Sequence, residues 1–126
     1  MDKINPQQLE ILKRVVVALG KKPEEVDEFI QKKCKDEREF GNDGMCIETN
    51  ENGEVTILEL PQNQLSGSIS PEIGQLKALT EVELSGNELS GNIPQEIGQL
   101  KALEKLYLAW NNKLNGALPI LPSGCE

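Results

Sequence analysis

A tandem repeat of 24 residues is the feature of this sequence that most constrains its fold. Residues 55–78 and 79–102 are identical at 15 of 24 aligned positions, and the run Glu-Ile-Gly-Gln-Leu-Lys-Ala occurs unbroken in both. A third copy begins at Leu103, carries one inserted residue beside Asn111 and ends after Pro119. Units of this length cannot bury an apolar face alone, so neighbouring copies must stack and share one continuous core.

Within each copy, apolar residues recur at the first, fourth and sixth positions. The fourth and sixth positions alternate with polar neighbours, which predicts a short strand with one buried face. Three residues after the sixth position come Asn63, Asn87 and Asn111. A buried Asn side chain both donates and accepts hydrogen bonds, so we expect this column to satisfy the backbone groups of the stacked turns.

The repeat resembles a known family. Residues 79–100 have the pattern Leu-x-x-Val-x-Leu-x-x-Asn-x-Leu-x-Gly-x-Ile-Pro-x-x-Ile-Gly-x-Leu, which is similar to the plant-type leucine-rich repeat. Residues 55–76 match it except that Ser70 stands where Pro is usual, and the match extends to 119. The resemblance implies an α/β solenoid, a right-handed stack of three leucine-rich repeats with a parallel sheet on its concave face and a helical N-terminal cap.

Residues 1–54 resemble the N-terminal cap of that family more loosely. Asn5 followed by Pro6 predicts the start of an amphipathic helix that stops at Gly20. Pro23 begins a second helical segment, and Asn52-Gly53 predicts a tight turn between two strands. We therefore expect a helical cap with a hairpin entry at 1–54, three repeats at 55–119 and a C-terminal tail at 120–126.

The sequence contains three cysteines, Cys34, Cys46 and Cys125. The spacing leaves two alternatives open: a Cys34–Cys46 disulfide that closes a short loop, or three free thiols. The resemblance implies the disulfide, because a cysteine pair staples the family's caps, and it favours an extracellular setting. The chain nevertheless lacks the adjacent cysteine pair of those caps, and its first residues lack the apolar stretch of a secretory signal.

The amino-acid composition excludes several classes of function. The 13 basic and 21 acidic residues give a net charge of −8, which disfavours binding to nucleic acid. Since the chain has no histidine, imidazole bases and most zinc sites are excluded, and we expect no metal and no cofactor. The longest uninterrupted apolar run, Val15–Leu19, is far too short to enter a membrane. We therefore expect a protein that is not an enzyme.

The candidate binding surface is the concave side of the predicted sheet. Four glutamates on this side, Glu59, Glu81, Glu83 and Glu104, predict an acidic patch. Lys105, Tyr107 and Trp110 lie at its C-terminal edge, and exposed aromatic residues are frequent in binding hot spots. The alternatives are that the glutamates only keep the sheet soluble and that Trp110 covers the end of the last repeat.

Two function classes follow. The first is a recognition module whose concave face binds a protein or peptide, most favourably one with a basic surface. The resemblance to plant receptor ectodomains and to inhibitors of pectin-degrading enzymes implies a role in signalling or defence. The second is a surface-active, ice-binding protein, which would need a regular array of residues such as Thr56 and Thr80. The apolar end of the last repeat also predicts a weak homodimer.

Overall fold

The computed structural model describes residues 4–33, 46–60, 64–109, 111 and 113–115. Two α-helices lie in the N-terminal part, α1 (Pro6–Ala18) and α2 (Val26–Lys33). Two 3₁₀ helices, Pro71–Gln75 and Gln95–Gln99, occupy equivalent places 24 residues apart in the first and second repeats. In this described part of the chain, no helix has the length and apolar character needed to cross a membrane.

The described residues form two β-sheets. The larger sheet has the strand order β1-β2-β3-β5, in which β1 is antiparallel to β2 whereas β2, β3 and β5 run parallel. The smaller sheet pairs β4 with β6 in parallel. The strands are β1 (Cys46–Thr49), β2 (Val55–Glu59), β3 (Glu81–Glu83), β4 (Ser90–Asn92), β5 (Lys105–Tyr107) and β6 (Lys113–Asn115). Since parallel strands require a crossover, the 3₁₀ helices carry the chain back between successive strands of the larger sheet.

Helix α1 begins and ends where its sequence favours it. The Oδ1 atom of Asn5 accepts a hydrogen bond from the backbone N–H of Gln7 at 2.9 Å, and Pro6 occupies the first helical position. Gly20, with φ of +120°, follows the C-cap and adopts a backbone conformation that L side chains rarely take. The buried face of the helix consists of Ile11, Leu12, Val15 and Val16.

The core runs from this helix through the repeats. The first, fourth and sixth positions of the first two repeats are at most 1% exposed: Val55, Leu58, Leu60, Leu79, Val82 and Leu84. In the third repeat Leu103 is buried, whereas Leu106 and Leu108 are only partly buried. The period of the apolar pattern is therefore the period of the core, and among the described residues burial decreases at the third repeat.

A hairpin joins the N-terminal part to the sheet. Asn50 closes the turn between β1 and β2, because its Oδ1 accepts hydrogen bonds from the N–H groups of Asn52 at 2.9 Å and Glu54 at 3.0 Å. Gly53 has a φ of +76°, which agrees with the turn expected at Asn52-Gly53. The hairpin register pairs Ile47 with Leu58, so β1 becomes the first strand of the larger sheet.

The end of α1 is bonded directly to the first repeat. The N–H of Gly67 donates to the carbonyl of Leu19 at 2.9 Å, and the N–H of Ser68 donates to the carbonyl of Ala18 at 2.8 Å. These carbonyls lie at the helix C-terminus, where intrahelical donors are lacking. The N–H of Ser90 then donates to the carbonyl of Gly67 at 3.0 Å, so one series of backbone bonds runs from α1 into the repeats.

Ion pairs supplement this packing. The Nζ of Lys13 on α1 lies 3.0 Å from a carboxylate oxygen of Asp27 on α2. Its hydrogen bond to Asp27, aided by the charges of Asp27 and Glu10 against the opposing effect of burial, raises the pKa of Lys13 above the ordinary value of 10.5. Arg14 and Glu72 approach within 3.3 Å and connect α1 to the first 3₁₀ helix.

Candidate functional site

Two asparagines hold neighbouring repeats in register. The Nδ2 of Asn87 donates to the carbonyls of Leu60 at 3.0 Å and Leu84 at 2.9 Å, and its Oδ1 accepts from the N–H of Leu65 at 3.1 Å. The side chain thus joins the backbone of its own repeat to that of the repeat before it. Asn87 is 6% exposed, so these bonds satisfy backbone groups that have little access to water.

Asn111 repeats this arrangement one turn later. Its Nδ2 donates to the carbonyls of Leu84 at 2.9 Å and Leu108 at 3.1 Å, and its Oδ1 accepts from the N–H of Leu89 at 3.1 Å. Asn63, expected to begin the column, lies outside the described residues. The backbone partners of Asn111 lie 24 residues after those of Asn87, so both side chains join neighbouring repeats in the same way.

The strand register aligns the outward side chains in two rows. Ile57, Glu81 and Lys105 are paired in one row, and Glu59, Glu83 and Tyr107 are paired in the other. Glu48 on β1 continues the first row, because it pairs with Ile57. We call the surface formed by these seven residues the sheet face. It carries four carboxylates, one ammonium and one aromatic ring.

Two of the predicted site residues on the sheet face bind each other. The Nζ of Lys105 lies 3.9 Å from a carboxylate oxygen of Glu81 in the neighbouring strand, and both side chains are partly accessible. The sheet face therefore contains one cation among its carboxylates, although its net charge remains negative. Glu104 precedes Lys105 in the chain and is exposed beside the first row.

The carboxylate of Glu83 is hydrogen-bonded to Ser85, which lies just after the end of β3. Its Oε1 accepts one hydrogen bond from the backbone N–H of Ser85 at 3.0 Å and a second from the Ser85 hydroxyl. Both bonds restrict the rotamer of the carboxylate on the sheet face. Ser85 was not among the predicted site residues. The sequence does distinguish Ser85. It lies two positions after Glu83, and the equivalent positions in the other two repeats are Pro61 and Ala109, which have no hydroxyl.

Tyr107 supplies the aromatic part of the surface. Its side chain is 41% exposed, the largest exposure of a large hydrophobic residue among those described. It lies on β5, the last strand of the larger sheet, next to Glu83 in the register. Trp110, which the sequence places close to it, lies outside the described residues.

The comparisons with known proteins agree with this geometry. The family model for the Leucine Rich Repeat matches residues 78–100. The leucine-rich repeat ectodomain of the receptor kinase SOBIR1 from Arabidopsis thaliana is 31% identical, with a TM-score of 0.57 over 83% of this chain. The chain is a plant-type leucine-rich repeat protein. It spans 54% of the length of that ectodomain. No curated protein matches it by sequence.

In this leucine-rich repeat protein the threonines do not form a free hydroxyl array. The Oγ1 of Thr56 donates to the carbonyl of Glu48 at 3.2 Å, and that of Thr80 donates to the carbonyl of Thr56 at 3.2 Å. The third repeat has Glu104 at the corresponding position. The ice-binding alternative needs regularly spaced, available hydroxyls, so it gains no support from this sheet.

The cysteine and metal predictions concern little of the described chain. Cys34 and Cys125 lie outside the described residues, so a Cys34–Cys46 disulfide stays a prediction. Among the residues that are described, no three His, Cys, Asp or Glu side chains are grouped as a metal site would require.

One surface feature has no counterpart in the repeat pattern. A cleft of about 540 Å³ separates α1 from the start of α2 and the first 3₁₀ helix. The residues that line it include the apolar Val17, Ala18 and Val26 and the charged Arg14 and Glu72. The 24-residue repeat does not predict this cleft, because the residues that line it come from α1, the start of α2 and the first 3₁₀ helix.

Proposed function

We propose that this chain is a recognition module that is not an enzyme and that binds a protein or peptide through the sheet face. The observation that carries the proposal is the sheet face itself: four carboxylates and one exposed tyrosine aligned on adjacent strands of the larger sheet. A surface of fixed register that combines an aromatic anchor with charge fits the anatomy of protein interfaces. The negative net charge of the sheet face favours a partner with a basic surface.

The proposed architecture supports this use. The parallel strands and the resemblance to a receptor-kinase ectodomain support a right-handed solenoid with the sheet face on its concave side. Helices α1 and α2 with the hairpin would form the N-terminal cap (1–54), since they close the apolar end of the first repeat. The repeats occupy 55–119 and the tail 120–126. The same resemblance supports extracellular recognition in signalling or defence, with Cys34–Cys46 as a cap disulfide.

Selection of displayed random peptides tests the proposal. The sheet-face variant carries Glu81→Lys, Glu83→Lys and Tyr107→Ser, and the matched control carries Glu88→Lys, Glu96→Lys and Gln75→Ser at positions off the sheet face. Peptides selected on the wild type should be rich in basic residues and bind the sheet-face variant about tenfold more weakly or worse. They should bind the control variant as they bind the wild type.

Salt dependence gives a second criterion for the same peptides. Because the attraction is between accessible charges, affinity should fall as ionic strength rises. Selected peptides that bind the sheet-face variant as well as they bind the wild type would contradict the proposal.

We also propose weak self-association through the third repeat. Its support is that Leu106, Leu108 and Leu114 are only partly buried against the core. Light scattering at high concentration should show a dimer that Leu114→Glu disperses. A wild-type protein that stays monomeric throughout would overturn this part of the proposal.

A further inference from the structure

Glu83 and Tyr107 form a carboxylate–aromatic pair on the sheet face. They are directly paired in the register of β3 and β5. Neighbouring strands lie about 4.8 Å apart, so outward side chains of paired residues are close enough to contact one ligand group together. The tyrosine is 41% exposed, which leaves ring surface accessible to a partner.

The carboxylate of this pair is held in place before any ligand arrives. Both hydrogen bonds from Ser85, one from the backbone and one from the hydroxyl, are accepted by Oε1 of Glu83. A side chain already restricted in the free protein loses less conformational entropy on binding. Glu83 is therefore better prepared to accept hydrogen bonds from a ligand than a freely rotating surface glutamate.

The one cation of the sheet face forms a long, partly exposed ion pair with another glutamate. Lys105 lies two residues before Tyr107 on the same strand, but its ammonium is paired with Glu81 at 3.9 Å. The whole sheet face carries four glutamates against this one lysine. The charge next to the tyrosine ring therefore favours a positively charged ligand group.

We propose that Glu83 and Tyr107 form a subsite for an arginine side chain of the partner, an inference that rests on the proposed function of the sheet face. The planar guanidinium stacks on the tyrosine ring while its N–H groups donate to the carboxylate of Glu83. Arginine suits this pair better than lysine, because a lysine ammonium is a more strongly hydrated point charge without a plane to stack.

The subsite occurs once along the repeats. A glutamate followed two positions later by serine occurs in the second repeat alone, and the equivalent row position is aromatic in the third repeat alone. The arginine therefore binds at the junction of these two repeats. This placement fixes where along the sheet face a bound segment presents its basic side chain.

A titration with N-acetyl-arginine amide, followed by NMR, tests the subsite in isolation. The probe should shift the resonances of the Tyr107 ring and of the Ser85 amide. N-acetyl-citrulline amide, which has a similar shape without the charge, should shift neither resonance. Nα-acetyl-lysine amide, which keeps its side-chain ammonium, should bind about threefold more weakly than the arginine probe.

Matched variants assign the binding to the pair. Glu83→Gln should weaken binding of the arginine probe about tenfold and Tyr107→Leu about threefold, whereas Tyr107→Phe should keep it. Glu88→Gln removes one exposed negative charge at a position off the sheet face and should change the affinity less than about twofold. Equal losses for Glu83→Gln and Glu88→Gln would overturn the subsite and indicate general attraction only.

The two proposals fail in different ways. Selected peptides that require the sheet face but bind equally well after replacement of every arginine by citrulline would overturn the arginine subsite and leave the proposed function intact. Selected peptides that do not depend on the sheet face would overturn the proposed function.

Discussion

The junction between two repeats and the junction between α1 and the first repeat solve the same problem in different ways. Between repeats, a buried asparagine side chain bonds to the backbone on both sides in addition to backbone bonds such as that of Ser90 to Gly67, and Asn111 reproduces the bonds of Asn87. At α1, backbone meets backbone: the helix-end carbonyls of Ala18 and Leu19 accept from Ser68 and Gly67. The asparagine junction recurs with each repeat of the sequence. The junction at α1 occurs once and depends on close approach of two backbone segments.

This difference shows which contacts tolerate change. An asparagine at a fixed position joins any number of equivalent turns, so the same solution extends along a stack of repeats. The helix junction depends on one glycine, because a Cβ on Gly67 would lie 2.0 Å from the carbonyl oxygen of Ala18. We therefore expect the largest effects of substitution at the unique junction and smaller ones at the repeated junction.

The largest effect is expected for Gly67→Ala. The added methyl group collides with backbone that cannot rotate away, so the free energy of unfolding should fall by about 3 kcal/mol or more. The matched control is Gly91→Ala, the same position one repeat later, where the nearest atom is 3.8 Å away but φ is +83°. It should cost about 1 kcal/mol through backbone strain alone. Urea unfolding of both variants measures the difference, and equal costs would refute the close-approach account.

The next largest loss of stability is expected when the asparagine junction between repeats is removed. Asn87→Ala leaves the carbonyls of Leu60 and Leu84 without this donor and the N–H of Leu65 without this acceptor, which should cost about 2 kcal/mol. Asn92→Ala, an exposed asparagine on β4, serves as the control and should cost less than about 0.5 kcal/mol. Similar losses for both variants would show that the buried bonds contribute little.

A smaller contribution is expected from the ion pair across the helix junction. Arg14 and Glu72 are 58 residues apart in sequence and approach within 3.3 Å, but the arginine side chain is 59% exposed. A double-mutant cycle with Arg14→Met and Glu72→Gln should give a coupling of about 0.5 kcal/mol that fades in high salt. A coupling several times larger would mean that charge, rather than backbone contact, holds α1 in place.

The smallest effect concerns pH and Lys13. Because the pKa of Lys13 is raised in the folded state, its stabilising effect is present below its ordinary value of 10.5 and is lost as pH rises through the folded value. The stability difference between wild type and Lys13→Met should therefore shrink in alkaline solution above that value. Lys101→Met controls for the loss of a surface ammonium. A difference that grows with rising pH would have the wrong sign.

The fold was more predictable than the site, for a physical reason. Strand positions and the asparagine column follow from local spacing, since each repeat places like residues at like heights. The ion pair of Glu81 with Lys105 is also recoverable from spacing, because the residues are 24 apart. The contact of Gly67 with α1 and the cleft beside Arg14 depend on how elements from distant parts of the chain meet, and no local pattern encodes that.

Native-state hydrogen exchange tests most directly whether α1 and the repeats form one bonded unit. The amides of Gly67 and Ser68 donate to α1, and those of Leu65 and Leu89 donate to Asn87 and Asn111. If α1 and the repeats form one bonded unit, all four amides should exchange with similar free energies of opening. Fast exchange at Gly67 and Ser68, with Leu65 and Leu89 protected, would contradict this prediction and separate the helix from the stack.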